Sequence, residues 1–308
     1  MKFGVHKMTW GSHFDPQNIK TFFQQARDIG ADSVEFRPPD EVVAGNRVRA
    51  GEIRKMAEDC GLTLLFSFAY PPGADMRSDN TEERERAVQH LIRGIRAVQS
   101  LGGKAIGGVL YSSWPTCYDG DMLDASIRYS RIQRSIEGIR RVTPVAEACG
   151  VTLSLEPLNR YENYIINTVA EGIAFCKAVS SKNCKLLLDT YHMNIEEESV
   201  SGAILEAKGL IGHFHAAEPN RMIPRHTARI DWKEVGGALA KAGYDGTVTI
   251  EAAVALEGEV SYPVRVWRDL LPDDSLRTRL SALDQGLRYI RAQFGEINAR
   301  QYGPGDRE

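Results

Sequence analysis

Short runs of β-branched and aliphatic residues alternate along this chain with longer stretches whose apolar positions recur at helical spacing. The short runs predict strands over Phe3–Met8, Ser33–Phe36, Thr63–Phe68, Lys104–Gly108, Thr152–Glu156, Lys185–Asp189, Leu210–His215 and Thr247–Glu251. The longer stretches predict helices beginning near Pro16, Asn46, Thr81, Asp121, Thr168, Val200 and Asp231, and a last one from Ser275 to Phe294. Punctuation supports both sets. Gly30 stops the first helix, and Cys60-Gly61-Leu62-Thr63 and Cys149-Gly150-Val151-Thr152 each read as helix, glycine cap and strand. Thr81-Glu82-Glu83 offers a capping hydroxyl and acids where a helix dipole favours negative charge.

Strict alternation of strand and helix implies parallel strands covered by helices. Eight such units at a period of roughly 30 to 45 residues suit a single-domain α/β fold, a (β/α)8 TIM barrel, over residues 1–298, with 299–308 a polar tail. The runner-up, a doubly wound open sheet, lacks a G-x-G-x-x-G after its first strand.

Composition narrows the partners. A net charge of −3 provides no basic field for nucleic acid or an anionic membrane. No apolar stretch approaches the ~20 residues that span a bilayer, and the amino terminus has no charged-then-apolar leader pattern, so a cytoplasmic location is expected. The cysteines number 5 and none are in C-x-x-C spacing, which reads as reduced core thiols.

In a barrel of this kind, catalytic groups project from the carboxyl ends of the strands. The last four strands end on Glu156, Asp189, His215 and Glu251. Each has an ordinary explanation of its own: a salt bridge for Glu156 or Glu251, a helix cap for Asp189. Alternation sends His213 and His215 to one strand face, where one of them is an ordinary core histidine. Together the four form an oxygen-rich site with one imidazole, suited to a single divalent ion, Mn²⁺ first, with Mg²⁺, Co²⁺ or Zn²⁺ as alternatives.

These segments resemble a known family. Glu156-Pro157-Leu158-Asn159-Arg160-Tyr161-Glu162 is similar to the E-x-x-N-R-[FY]-E stretch of the D-tagatose, D-psicose (allulose) and L-ribulose 3-epimerases. Leu188-Asp189-Thr190-Tyr191-His192-Met193-Asn194-Ile195-Glu196-Glu197 resembles their L-D-T-[FY]-H-M-N-I-E-E string. Gly212-His213-Phe214-His215 with Glu218, Asn220 and Arg221, the loop Gly107 to Pro115 and the segment Val266 to Leu270 are similar as well. The resemblance implies a (β/α)8 ketose 3-epimerase, an isomerase expected as a homodimer or homotetramer. It implies metal ligation by Glu156, Asp189, His215 and Glu251, with Glu156 and Glu251 as the acid–base pair working through a metal-chelated cis-enediolate. It also implies substrate contacts from Glu162, His192, Arg221, Trp114 and His6. Alternatives for these are an Arg160–Glu162 surface pair, an exposed Arg221 and a core Trp114.

Two departures from the pattern stand out. Alanine occupies 216 and 217, and Arg225, His226 and Arg229 are added in a segment expected at the active-site rim, which admits a modified, oxidised or anionic sugar. Other functions weighed are an aldose–ketose isomerase of the hydroxypyruvate- or xylose-isomerase kind, a related dehydratase, an endonuclease IV-type nuclease and a non-catalytic sugar-binding barrel. The nuclease would need a histidine-rich site and a basic face, against 7 scattered histidines.

Overall fold

A computed structural model of the chain describes residues 1–116, 124–227, 229–254 and 263–301, the side chains of 296–301 aside. Among them, eight parallel strands close on themselves in sequence order: β1 (Lys2–His6), β2 (Ser33–Phe36), β3 (Thr63–Phe68), β4 (Ala105–Gly108), β5 (Thr152–Leu155), β6 (Cys184–Asp189), β7 (Ile211–Ala216) and β8 (Thr247–Ile250). β1 pairs with both β2 and β8, so the sheet has no edge. The helices are α1 (Ile19–Asp28), α2 (Asp40–Val43), α3 (Arg47–Asp59), α4 (Thr81–Ser100), α5 (Ala125–Cys149), α6 (Val169–Val179), α7 (Thr190–Glu196), α8 (Val200–Glu206), α9 (Trp232–Lys241) and α10 (Leu276–Gln301). None of the described helices is long and apolar enough to cross a membrane.

All eight expected strands are present, which makes the fold a (β/α)8 barrel. Their runs are apolar on both faces because the barrel interior covers one side and the helices the other, as Leu153, Leu155 and Leu186–Leu188 show by their burial. β1 is shorter than expected: after His6 the chain turns into a 3-10 segment, Lys7–His13, which buries Trp10. The first helix is preceded by a 3-10 turn at Pro16–Asn18. The cap of α4 is Asn80, whose side chain accepts from the Glu82 N–H, and the expected Thr81 is the first helical residue instead. The expected start near Asp121 lies outside the described residues, and α5 opens at Ala125 behind an Asp124 cap. α2 and α7 were not expected. They are too short for an apolar period to register.

One irregularity positions the site. Along the β6–β7 pairing Leu186 faces Ile211, but Leu187 faces His213, so Gly212 is passed over. That bulge brings Asp189 level with His215. Without it Asp189 would be level with Phe214, a residue of the core. A Cβ on Gly212 would sit 2.6 Å from Ser154 Oγ and 2.9 Å from Lys185 Cβ, so the bulge tolerates no side chain there.

Candidate active site

The carboxyl ends of β5 to β8 bring Glu156, Asp189, His215 and Glu251 together. One ligand atom from each lies within 4.8 Å of all the others. Donors held at about 2.0–2.2 Å around one ion stand about 3–4 Å apart, so small side-chain shifts suffice to close this group on a single cation. Two of the atoms have no partner although buried: Glu156 Oε1 and His215 Nδ1. Three carboxylates and an imidazole, with orphaned acceptors aimed at one point, fit a divalent metal ion.

Asp189 shows that the cap and ligand readings are compatible. Its Oδ1 accepts from the Tyr191 N–H and caps α7, while Oδ2 accepts from Arg221 Nη1 at 2.7 Å. The same Nη1 donates to Glu251 Oε2 at 2.7 Å. Arg221 is buried, lies 4.0 Å over the Tyr191 ring and has left-handed backbone (φ 62°), so it is not an exposed loop charge.

Electrostatics follow from this crowding. Burial raises the Glu156 carboxyl well above the usual range, and Glu251 and Asp189 push the same way against His215. Burial, with Arg221 opposing, lifts Asp189 to about 6. At Glu251 burial is outweighed by His215 and Arg221, which hold its pKa well below normal. Burial opposes charge on His215 too, yet Glu251 and Glu35 raise its pKa well above the ordinary value. A bound cation would relieve the repulsion among the three acids.

The substrate-side residues line a cavity of about 170 Å³ with Glu156, His215 and Glu251. That is below the ~300–1,000 Å³ of drug-sized sites, so its ligand is small. His6, Trp114, Glu162, His192 and Arg221 all face it, whereas Asp189 does not. Trp114 is half-buried and donates from Nε1 to Glu162 Oε2 at 3.0 Å. Glu162 is buried and also accepts from Asn159, while Arg160 pairs instead with Glu196, so the surface-pair alternative does not hold.

Two histidine tautomers can be read from backbone donors. The Asn159 N–H donates to His192 Nδ1 at 3.0 Å, so the neutral ring carries its proton on Nε2. Burial and the Arg221 charge hold the His192 pKa well below normal, which keeps the ring neutral. Its Nε2 lies 3.1 Å from Arg221 Nη2, in hydrogen-bond contact, and both residues line the cavity. The Met8 N–H likewise donates to His6 Nδ1 at 3.1 Å, which leaves the His6 Nε2–H buried without a partner, 3.9 Å from Glu251 Oε1.

Sequence reasoning passed over Glu35, at the end of β2. Its Oε2 accepts from Nε2 of both His213 (2.7 Å) and His215 (3.1 Å). These atoms also form a compact group in which Glu35 Oε2 is shared by the two imidazoles, while Glu35 Oε1 is buried without a partner. The effect is to fix the His215 ring with Nδ1 toward Glu156 and Glu251. His213 is thereby the hydrogen-bonded core histidine of the pair. The signal for Glu35 was an acid at a strand end in an otherwise apolar run.

Arg225, His226 and Arg229 do not line the catalytic cavity. Arg225 and His226 border a surface depression toward α10, Arg229 borders another with Glu218, and the Arg229 N–H donates to Glu218. The expected rim position is corrected accordingly. The second oxygen of Glu218 accepts from Trp232 Nε1, so that acid ties down the loop after β7.

The xylose isomerase-like TIM barrel family model matches residues 23–270. A D-psicose 3-epimerase of Ruminiclostridium cellulolyticum is 36% identical over 270 residues, covering 88% of this chain and 90% of that one. An L-ribulose 3-epimerase of Mesorhizobium japonicum is 31% identical over 275 residues, covering 89% of each. The crystal structure of D-psicose 3-epimerase with D-tagatose from Clostridium cellulolyticum superposes with a TM-score of 0.88 at 34% identity, over 96% of this chain and 99% of that one.

Proposed function

This chain belongs to the xylose isomerase-like TIM-barrel family and, within it, to the ketose 3-epimerases, and from that premise we propose that it inverts C3 of a small ketose with Glu156 and Glu251 as its acid–base pair. The observation that carries the reading is their placement. They leave β5 and β8, converge on one buried cluster, and face the same small cavity as the donors His192 and Arg221.

Inversion requires a proton to leave one face of a carbon next to a ketone and another to arrive on the opposite face. Two carboxylates on different sides of a bound sugar supply that pair, each acting as base for one epimer and acid for the other. His192 and the Arg221 guanidinium, which line the cavity, would contact oxygens at the carbonyl end, where negative charge develops as the proton leaves. Glu162, fixed by Trp114 and Asn159, accepts from a substrate hydroxyl, Trp114 walls the cavity, and His6 donates from its unpartnered Nε2–H. Glu156, Asp189, His215 and Glu251 would hold a divalent ion, for which we propose manganese, and the bound ion would act as a Lewis acid that polarises the ketone and the neighbouring hydroxyl.

The test is product identity. Manganese-loaded protein is incubated with a panel of ketoses, and the products are separated by chromatography. A C3 epimer, absent after chelation, is the expected result. An aldose product would replace this reading with an aldose–ketose isomerase.

A further inference from the structure

Two of the groups that face the cavity come from different elements. Glu162 belongs to the segment after β5, whereas His192 belongs to α7, after β6. One side chain reaches both. Asn159 Nδ2 donates to Glu162 Oε1 at 3.0 Å and lies 2.9 Å from His192 Nδ1, to which the Asn159 N–H also donates at 3.0 Å. Its Oδ1 accepts from the Tyr161 N–H at 2.9 Å, which fixes which end of the amide faces the two partners. Its carbonyl accepts from the N–H groups of Glu162 and Asn163. Asn159 is 1% exposed and does not line the cavity, so any effect on a substrate passes through these neighbours.

An amide suits this place for a simple reason. It has two N–H groups, one for each partner, and an oxygen left over for the turn. A carboxylate there would keep the turn acceptor but offer no donor, and it would repel Glu162. A serine hydroxyl ends one atom earlier and has one hydrogen for both partners. The two segments are also joined on the outside, where Arg160 donates to Glu196 of α7 from its N–H and its guanidinium. That bracket ties the backbones together. The Asn159 amide adds a bond between the side chains that face the sugar, whose terminal torsions are otherwise broad. Resting on the ketose 3-epimerase reading, we propose that Asn159 is a positioning residue that locks Glu162 and His192 to each other, so that a sugar held through its hydroxyl and carbonyl oxygens presents C3 in one place relative to Glu156 and Glu251.

The experiment uses manganese-loaded full-length protein, with kcat read from C3-epimer formation and ketose Kd from calorimetry. Asn159→Ser and Asn159→Asp both keep an acceptor for the Tyr161 N–H, and melting curves check that each variant folds. In both, kcat is expected to fall by about ten- to a hundredfold, with ketose Kd weakened by a smaller factor and Asn159→Asp the worse of the two. A role in packing alone would lower Tm and leave kcat and Kd together. Double-mutant cycles of Asn159→Ser with Glu162→Ala and with His192→Ala read the coupling. Once either partner is gone, loss of the amide is expected to cost markedly less, in Kd as in kcat. Wild-type kcat in both folded variants, or losses additive in free energy in both cycles, overturns the proposal. If no ketose is epimerised, the cycles are read from Kd alone. Non-additive losses then overturn only the epimerase reading, while additive losses, or no ketose bound at all, overturn both.

Discussion

At the scale of single residues, the site is a problem of charge held in a small volume. Asp189 is almost wholly buried, yet it has a partner for each oxygen, the α7 backbone on one side and Arg221 on the other. Glu156 lacks a partner for Oε1, which leaves that atom for a cation or a substrate proton. Replacing Glu156 or Glu251 by Gln keeps the volume and removes the base. Each change is expected to lower kcat by about 10²–10⁴-fold with the fold retained, read by steady-state kinetics and circular dichroism. Glu35 acts one step away, through His215. Glu35→Gln is expected to weaken metal binding about 10–100-fold by titration calorimetry, with Glu35→Asp recovering part of the loss. Wild-type affinity in Glu35→Gln would show that packing alone orients the His215 ring.

At the scale of elements, β6 and β7 carry the geometry. The bulge at Gly212 sets Asp189 beside His215, and there is no room for a Cβ. Gly212→Ala is therefore expected to cost about 1–3 kcal/mol in denaturant unfolding and to weaken metal binding in the same protein. A stability loss with metal affinity unchanged would separate the bulge from the site. Such a bulge was not legible in the sequence, because His-Phe-His reads as a regular alternating strand whether or not a residue is passed over. The eight strands were legible, since a run such as Leu186-Leu187-Leu188 ending in an acid states both burial and exit. The four-residue cluster followed from strand ends alone. Glu35 escaped because its role depends on a contact between β2 and β7, which no local pattern carries. The arginines at 225 and 229 were misplaced for a related reason: nearness in sequence to Arg221 did not give nearness to the cavity.

At the scale of the whole molecule, the barrel joins distant parts of the chain through one site, so occupancy and stability are linked. A ligand that binds only the folded protein at 100 times its Kd stabilises it by about 2.7 kcal/mol. Adding Mn²⁺ is accordingly expected to raise Tm, and a chelator to reverse the gain. The increment depends on pH. Burial raises the Asp189 pKa to about 6, and below that value the neutral form is favoured. A cation must displace that proton, and those of Glu156 and His215, whose pKa values are raised well above normal, so metal affinity and the Tm gain are expected to fall as pH drops, with Asp189 adding to the loss through about 6. A gain independent of pH from 5 to 8 would show that Asp189 does not ligate the metal.

The central claim, that metal and paired glutamates together exchange the C3 proton of a ketose, is tested most directly by isotope exchange. Manganese-loaded protein is incubated with a ketose in deuterated water and followed by NMR. The account predicts deuterium at C3 of the recovered sugar and of its C3 epimer, lost on chelation and lost in Glu156→Gln/Glu251→Gln. Deuterium confined to C1 or C2 with an aldose product, or C3 exchange that survives loss of both glutamates, would contradict it.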